Sequence, residues 1–99
     1  MPAFHVDIPP HVADVIRQLP PDIKRSMKSA IRTLCANPSE GEPLVKELKG
    51  LWKFRVRRFR IVYGIDRRKK VIRLFAVGHR RSIYETVTEQ VSRRPQETS

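Results

Sequence analysis

The stretch WKFRVRRFRIVY, residues 52–63, holds two runs of period two on either side of a cationic pair. Trp52, Phe54 and Val56 alternate with Lys53, Arg55 and Arg57, the pattern of a strand with one apolar and one cationic face. A second strand is predicted over about 59–65, with Arg60 beside the first cationic row, and a third over 71–77, closed by Gly78. The polar connection 66–70, DRRKK, has hairpin length, so the three strands form an antiparallel meander. Like charges this close repel one another, and a polyanion outside the chain is the simplest compensation.

Working back toward the N-terminus, residues 3–8 alternate Phe4, Val6 and Ile8 with His5 and Asp7, which predicts a half-buried strand. From Pro10 the spacing changes: Val12, Val15, Ile16 and Leu19 form one stripe of a short helix. Pro20 and Pro21 break it, and Pro21 with Asp22 suits the first turn of another. That helix buries Ile23, Met27, Ala30, Ile31 and Leu34 and ends before Pro38. Beyond the meander, Ser82 and Glu85 form a capping box for a last helix carrying Ile83, Val87 and Val91. The predicted order is β-α-α-β-β-β-α: a two-layer α+β domain over 1–92, its helical hairpin packed on an antiparallel sheet. Residues 93–99 form a polar, disordered tail.

Composition narrows the function. The net charge is +11, and all of the excess lies in one third of the chain. Between Lys46 and Arg81, fourteen Lys and Arg face only Glu47 and Asp66; the remaining residues hold seven basic and eight acidic side chains. Such asymmetry fits a phosphate-binding surface. One cysteine, Cys35, gives no internal disulfide and fits a reducing cytoplasm. No apolar run is long enough to span a membrane. Three dispersed histidines and one cysteine make no metal-ligand set, and no Gly-rich phosphate loop or nucleophilic triad is present, so no cofactor is expected.

The run LKGLWKFRVRRFRIVYGID, followed by FAVGHRRSIYE, resembles the RelE/ParE superfamily of type II toxin–antitoxin toxins. The likeness extends from Phe4 to about Val91 and includes LPPDIKRSM in the helical hairpin. It implies a RelE-like fold and one of two activities. RelE-type members cut mRNA in the ribosomal A site, whereas ParE-type members bind DNA gyrase without catalysis. It also implies a cognate antitoxin, with a heterotetramer as one form of the complex. In RelE-type members, catalysis uses basic residues on the central strands, an arginine after the last strand and a tyrosine in the final helical segment. Here those positions match Arg60, Arg80 and Tyr84, although Tyr84 follows Arg80 more closely than in the best-known member. On the first strand Lys53, Arg55 and Arg57 compete for the role, with Arg55 preferred. Many relatives have Gly-Asp at the turn, where this chain has Arg57-Arg58.

The chemistry agrees with the RelE branch. Metal-independent RNA cleavage removes the 2′-hydroxyl proton, stabilises charge on the phosphorane-like transition state and protonates the departing 5′-oxygen. Fixed guanidinium groups suit the middle task, so Arg55, Arg60 and Arg80 are candidates, with Lys53, Arg57, Arg58 and Arg81 gripping the RNA. His79 is the histidine near the cluster, and an imidazole is the side-chain type suited to acid–base work; otherwise it bonds only to backbone. Tyr84 is open to three roles, as hydroxyl-orienting group, as base or as stacking ring, or it merely packs the helix on the sheet. The reading is a cytoplasmic mRNA endoribonuclease acting on the ribosome. Gyrase inhibition and non-enzymatic nucleic-acid binding stand as alternatives.

Overall fold

The computed structural model describes residues 4–79. The predicted closing helix from Ser82 and the tail 93–99 lie outside them. Chain order is β1 (His5–Asp7), α1 (Pro10–Arg17), α2 (Pro21–Ala36), β2 (Glu42–Pro43), β3 (Leu51–Val56), β4 (Phe59–Asp66) and β5 (Val71–His79). Both helices begin on a proline, Pro10 and Pro21, each following an extended proline with ψ near 150°. A proline at that position loses no intrahelical bond, and its φ is already helical. α2 stops where Asn37 extends ahead of Pro38.

The five strands are ordered β1-β5-β4-β3-β2. The meander β3-β4-β5 is antiparallel, as the sequence predicts. The sheet as a whole is mixed, because β1 runs parallel to β5, with His5 opposite Val71 and Asp7 opposite Arg73. These pairings make β1 and β3 run in the same sense, so the helical hairpin is the crossover that parallel strands require. Periodicity finds strands but not their neighbours, which is why the parallel edge was not foreseen. An ion pair of 3.1 Å between Arg73 and Asp7 fastens that edge.

Val12, Leu19, Met27, Ala30 and Leu34 of the helical hairpin meet Val56, Ile61, Tyr63, Ile72, Leu74 and Val77 of the sheet. None of these is more than 9% exposed, and each wholly buried aliphatic side chain contributes roughly 1.5–3 kcal/mol. β5 carries an extra residue at Phe75: Val62 pairs with Ala76 while Tyr63 pairs with Leu74. The bulge slips the alternation by one. Phe75 and Ala76 therefore both join Val62 on the far side of the sheet, where Leu44, Leu48 and Leu51 also pack. That far face is thus partly covered, in contrast to the bare face implied by the alternation. The row of Lys53, Arg55 and Arg60 lies toward the β3–β4 hairpin end.

Candidate functional site

The register of the hairpin sets two arginines against each other. Arg55 on β3 lies directly opposite Arg60 on β4, one step inside the pair Val56–Phe59. Like charges so placed destabilise a sheet. Neither takes part in an ion pair among the described residues, where the pairs are Arg17–Asp14, Lys53–Glu42 and Arg73–Asp7, and Arg55 Nε donates only to the Arg57 carbonyl at 3.4 Å. The Nε of half-buried Arg60 is shielded from solvent and has no hydrogen-bond partner there. A buried guanidinium donor without an acceptor costs free energy unless a ligand supplies one. Two hollows flank the pair. One of about 350 Å³ is bordered by Glu40, Gly41, Glu42, Lys53, Arg55 and Arg60. The other, of about 380 Å³, is walled by Arg55, Arg57, Arg58, Arg60 and His79. Shared Arg55 and Arg60 make them one cationic groove.

Several predicted residues need new positions. Arg57 does not continue the row of Lys53 and Arg55. The strand ends at Val56, and Arg57 takes a left-handed backbone, φ 56°, in the two-residue turn. Its Nε donates to Ser26 Oγ of α2 at 3.2 Å, on the helix side of the sheet. Arg58 is exposed beside it. His79 pairs in register with Phe59, and Arg60 pairs with Gly78. The imidazole accordingly leaves the sheet on the helix side, edge-on to the Phe59 ring at 5.4 Å and 67°. This is the bulge at work, since unbroken alternation from Ile72 and Leu74 places His79 with the arginines. It reaches the groove only around the end of the hairpin. Arg80, Arg81 and Tyr84 lie outside the described residues.

Glu42 was not foreseen. It sits in a two-residue strand that no periodicity can reveal, inside what reads as a loop, SEGEP. Pairing with β3 places Glu42 opposite Lys53, with 3.5 Å between carboxylate and ammonium. Asp66, an acid counted in the sequence, is not among the groove's walls. Tyr63 anchors this edge from within. Its hydroxyl donates to the Pro38 carbonyl at 2.7 Å and accepts from the Gly41 N–H at 3.2 Å. Burial pushes its pKa up, so it remains a neutral bridge. Among the described residues, no group of His, Cys, Asp and Glu could hold a metal ion, and no helix is long and apolar enough to cross a membrane.

Comparison with known families matches residues 10–84 to the ParE toxin of type II toxin–antitoxin system, parDE. Comparison with curated proteins finds no match. Among solved structures, the chain is similar to a toxin–antitoxin complex, RelBE2 of Mycobacterium tuberculosis. Identity is 28%, TM-score 0.72, and the match covers 79% of this chain and 99% of that one. The free form of a doubly substituted Escherichia coli RelE aligns at TM-score 0.75 and 20% identity, over 94% of this chain and 98% of that one. A YoeB/ParE toxin of Agrobacterium tumefaciens aligns at TM-score 0.68 and 17% identity, over 77% and 98%. The last two likenesses concern the fold alone.

Proposed function

The chain belongs to the ParE toxin family of type II toxin–antitoxin systems, within the RelE/ParE superfamily, and from that premise we propose that it is a ribosome-dependent mRNA endoribonuclease. The observation that carries the reading is the facing pair Arg55 and Arg60, whose repulsion and orphaned Nε suit a phosphate held between them. In the reaction, the 2′-oxygen of a bound ribonucleotide bonds to its own 3′-phosphorus as the bond to the 5′-oxygen breaks. Glu42, at the rim of the groove, takes the hydroxyl proton. Arg55 and Arg60 stabilise the extra negative charge, and Lys53 adds to their field. His79 reaches around the hairpin end to protonate the departing 5′-oxygen, leaving a 2′,3′-cyclic phosphate and a 5′-hydroxyl. Arg80 and Tyr84 extend the site in this reading, as Arg57, Arg58 and Arg81 extend the grip on RNA. The chain's own cations fill the charge-stabilising role, so the reaction calls for no metal.

A separately encoded antitoxin with an acidic segment over the groove is the matching partner, supported by relatives solved as toxin–antitoxin complexes. The test is primer extension on a defined message with and without programmed ribosomes. Wild type is expected to cut only with ribosomes, and Arg60→Ala to lose at least about a hundredfold in rate. A message left intact by folded wild-type protein sinks the nuclease reading. The second reading, a gyrase inhibitor whose groove only binds, is favoured by the family description itself. Inhibition of supercoiling by a protein that leaves the message intact would establish it.

A further inference from the structure

The groove does not end at the hairpin turn. A third hollow of about 370 Å³ lies on the helix side of the sheet, walled by Asp22 and Ile23 of α2 together with Arg57, Arg58, Phe59 and His79. Arg57, Arg58 and His79 also wall the cationic groove, so the two spaces meet at the turn. Their chemistry differs. The groove is bordered by side chains suited to phosphate, while the third hollow adds the apolar surfaces of Ile23 and Phe59, which no phosphate needs.

We propose that this hollow is a nucleobase subsite, taking the guanine of a nucleotide adjacent to the phosphate between Arg55 and Arg60. The inference rests on the RNA-binding reading of that pair. Three features converge. First, His79 is exposed and meets Phe59 edge-to-face, which leaves an imidazole face for a base to stack on. Second, Asp22 is exposed and has no ion-pair partner among the described residues. A carboxylate only accepts hydrogen bonds. Guanine presents N1–H and N2–H side by side, the two-donor edge that two carboxylate oxygens accept. Uracil presents one N–H between two carbonyl oxygens, which a carboxylate repels. Third, Arg57 spends only Nε on Ser26, and no hydrogen bond among the described residues uses its terminal nitrogens. They stand where the backbone must pass from groove to hollow.

The test is NMR of the purified full-length protein titrated with inorganic phosphate, GMP and UMP. Phosphate is expected to shift Arg55 and Arg60 alone. GMP is expected to shift the Ile23 methyl and Phe59 ring signals as well, and to bind on the order of tenfold more tightly than UMP. Asp22→Asn, an exposed change in the first turn of α2, removes that preference. GMP shifts confined to Arg55 and Arg60 overturn the subsite and leave the nuclease reading standing. So does an undiminished guanine preference in Asp22→Asn. Absence of any phosphate shift at Arg55 and Arg60 overturns the phosphate site and the subsite together.

Discussion

Arg57 holds a conformation that costs an L-residue about 1–2 kcal/mol, at a turn position where glycine adopts it freely. The strain points its side chain to the helix side, where it meets Ser26 and the mouth of the third hollow. Arg57→Gly is therefore expected to stabilise the fold by about 0.5–1 kcal/mol, raising the Tm by roughly 3–6 °C. On the proposed reading, the same change is expected to weaken RNA binding by about tenfold. Thermal unfolding and oligoribonucleotide binding on one preparation check both signs, and a lowered Tm shows that the Ser26 bond outweighs the strain. Side-chain direction marks the limit of what the sequence shows at this scale. Lys53, Arg55 and Arg60 were legible because they lie within unbroken period-two runs. Arg57 was misplaced because the turn changes the phase, and the bulge that sends His79 to the helix side leaves no compositional mark.

Among the elements, the two-residue edge β2 governs the site most and shows least in the sequence. It is held where it can present Glu42 to Lys53 by the Tyr63 hydroxyl, which bonds to both ends of the segment Pro38–Gly41. Gly41 fits there because it lacks a side chain. A methyl group would collide with the Lys53 carbonyl oxygen and lie 2.6 Å from the Tyr63 hydroxyl. Gly41→Ala is expected to destabilise the protein by about 2 kcal/mol. It is also expected to reduce cleavage, by separating Glu42 from the groove; urea unfolding alongside primer extension reads the two effects. Unchanged stability means that β2 yields more easily than its packing suggests. The helices and the meander were legible because apolar spacing and proline placement agree over many residues. β2 is too short for any period, and the parallel place of β1 depends on a partner distant in the chain.

For the molecule as a whole, cations gather at both ends of β4. One group is the hairpin with Lys53, Arg55, Arg57, Arg58 and Arg60; the other is the turn carrying Arg67, Arg68, Lys69 and Lys70. Eight strand residues separate them by about 23 Å, well beyond the screening length of roughly 8 Å at physiological salt, so the two act independently. If only the hairpin end holds single-stranded RNA, log K falls against log salt with a slope of about −3.5. Engagement of both ends steepens it to about −6. The first value is expected, with Arg60→Ala reducing the slope by about 0.7. A salt series of binding isotherms decides between them.

The parallel pairing of β1 with β5 also bears on timing. His5 and Val71 lie 66 residues apart in the chain, so the first strand made has no partner until nearly the last described strand follows. At 5–20 residues per second, that wait lasts roughly 3–13 s during synthesis. Throughout it, the sheet that sets Arg55 against Arg60 lacks a strand and its apolar edge is open. The newborn chain then carries an unpaired strand edge. A partner made nearby has that interval to meet the toxin before it can act.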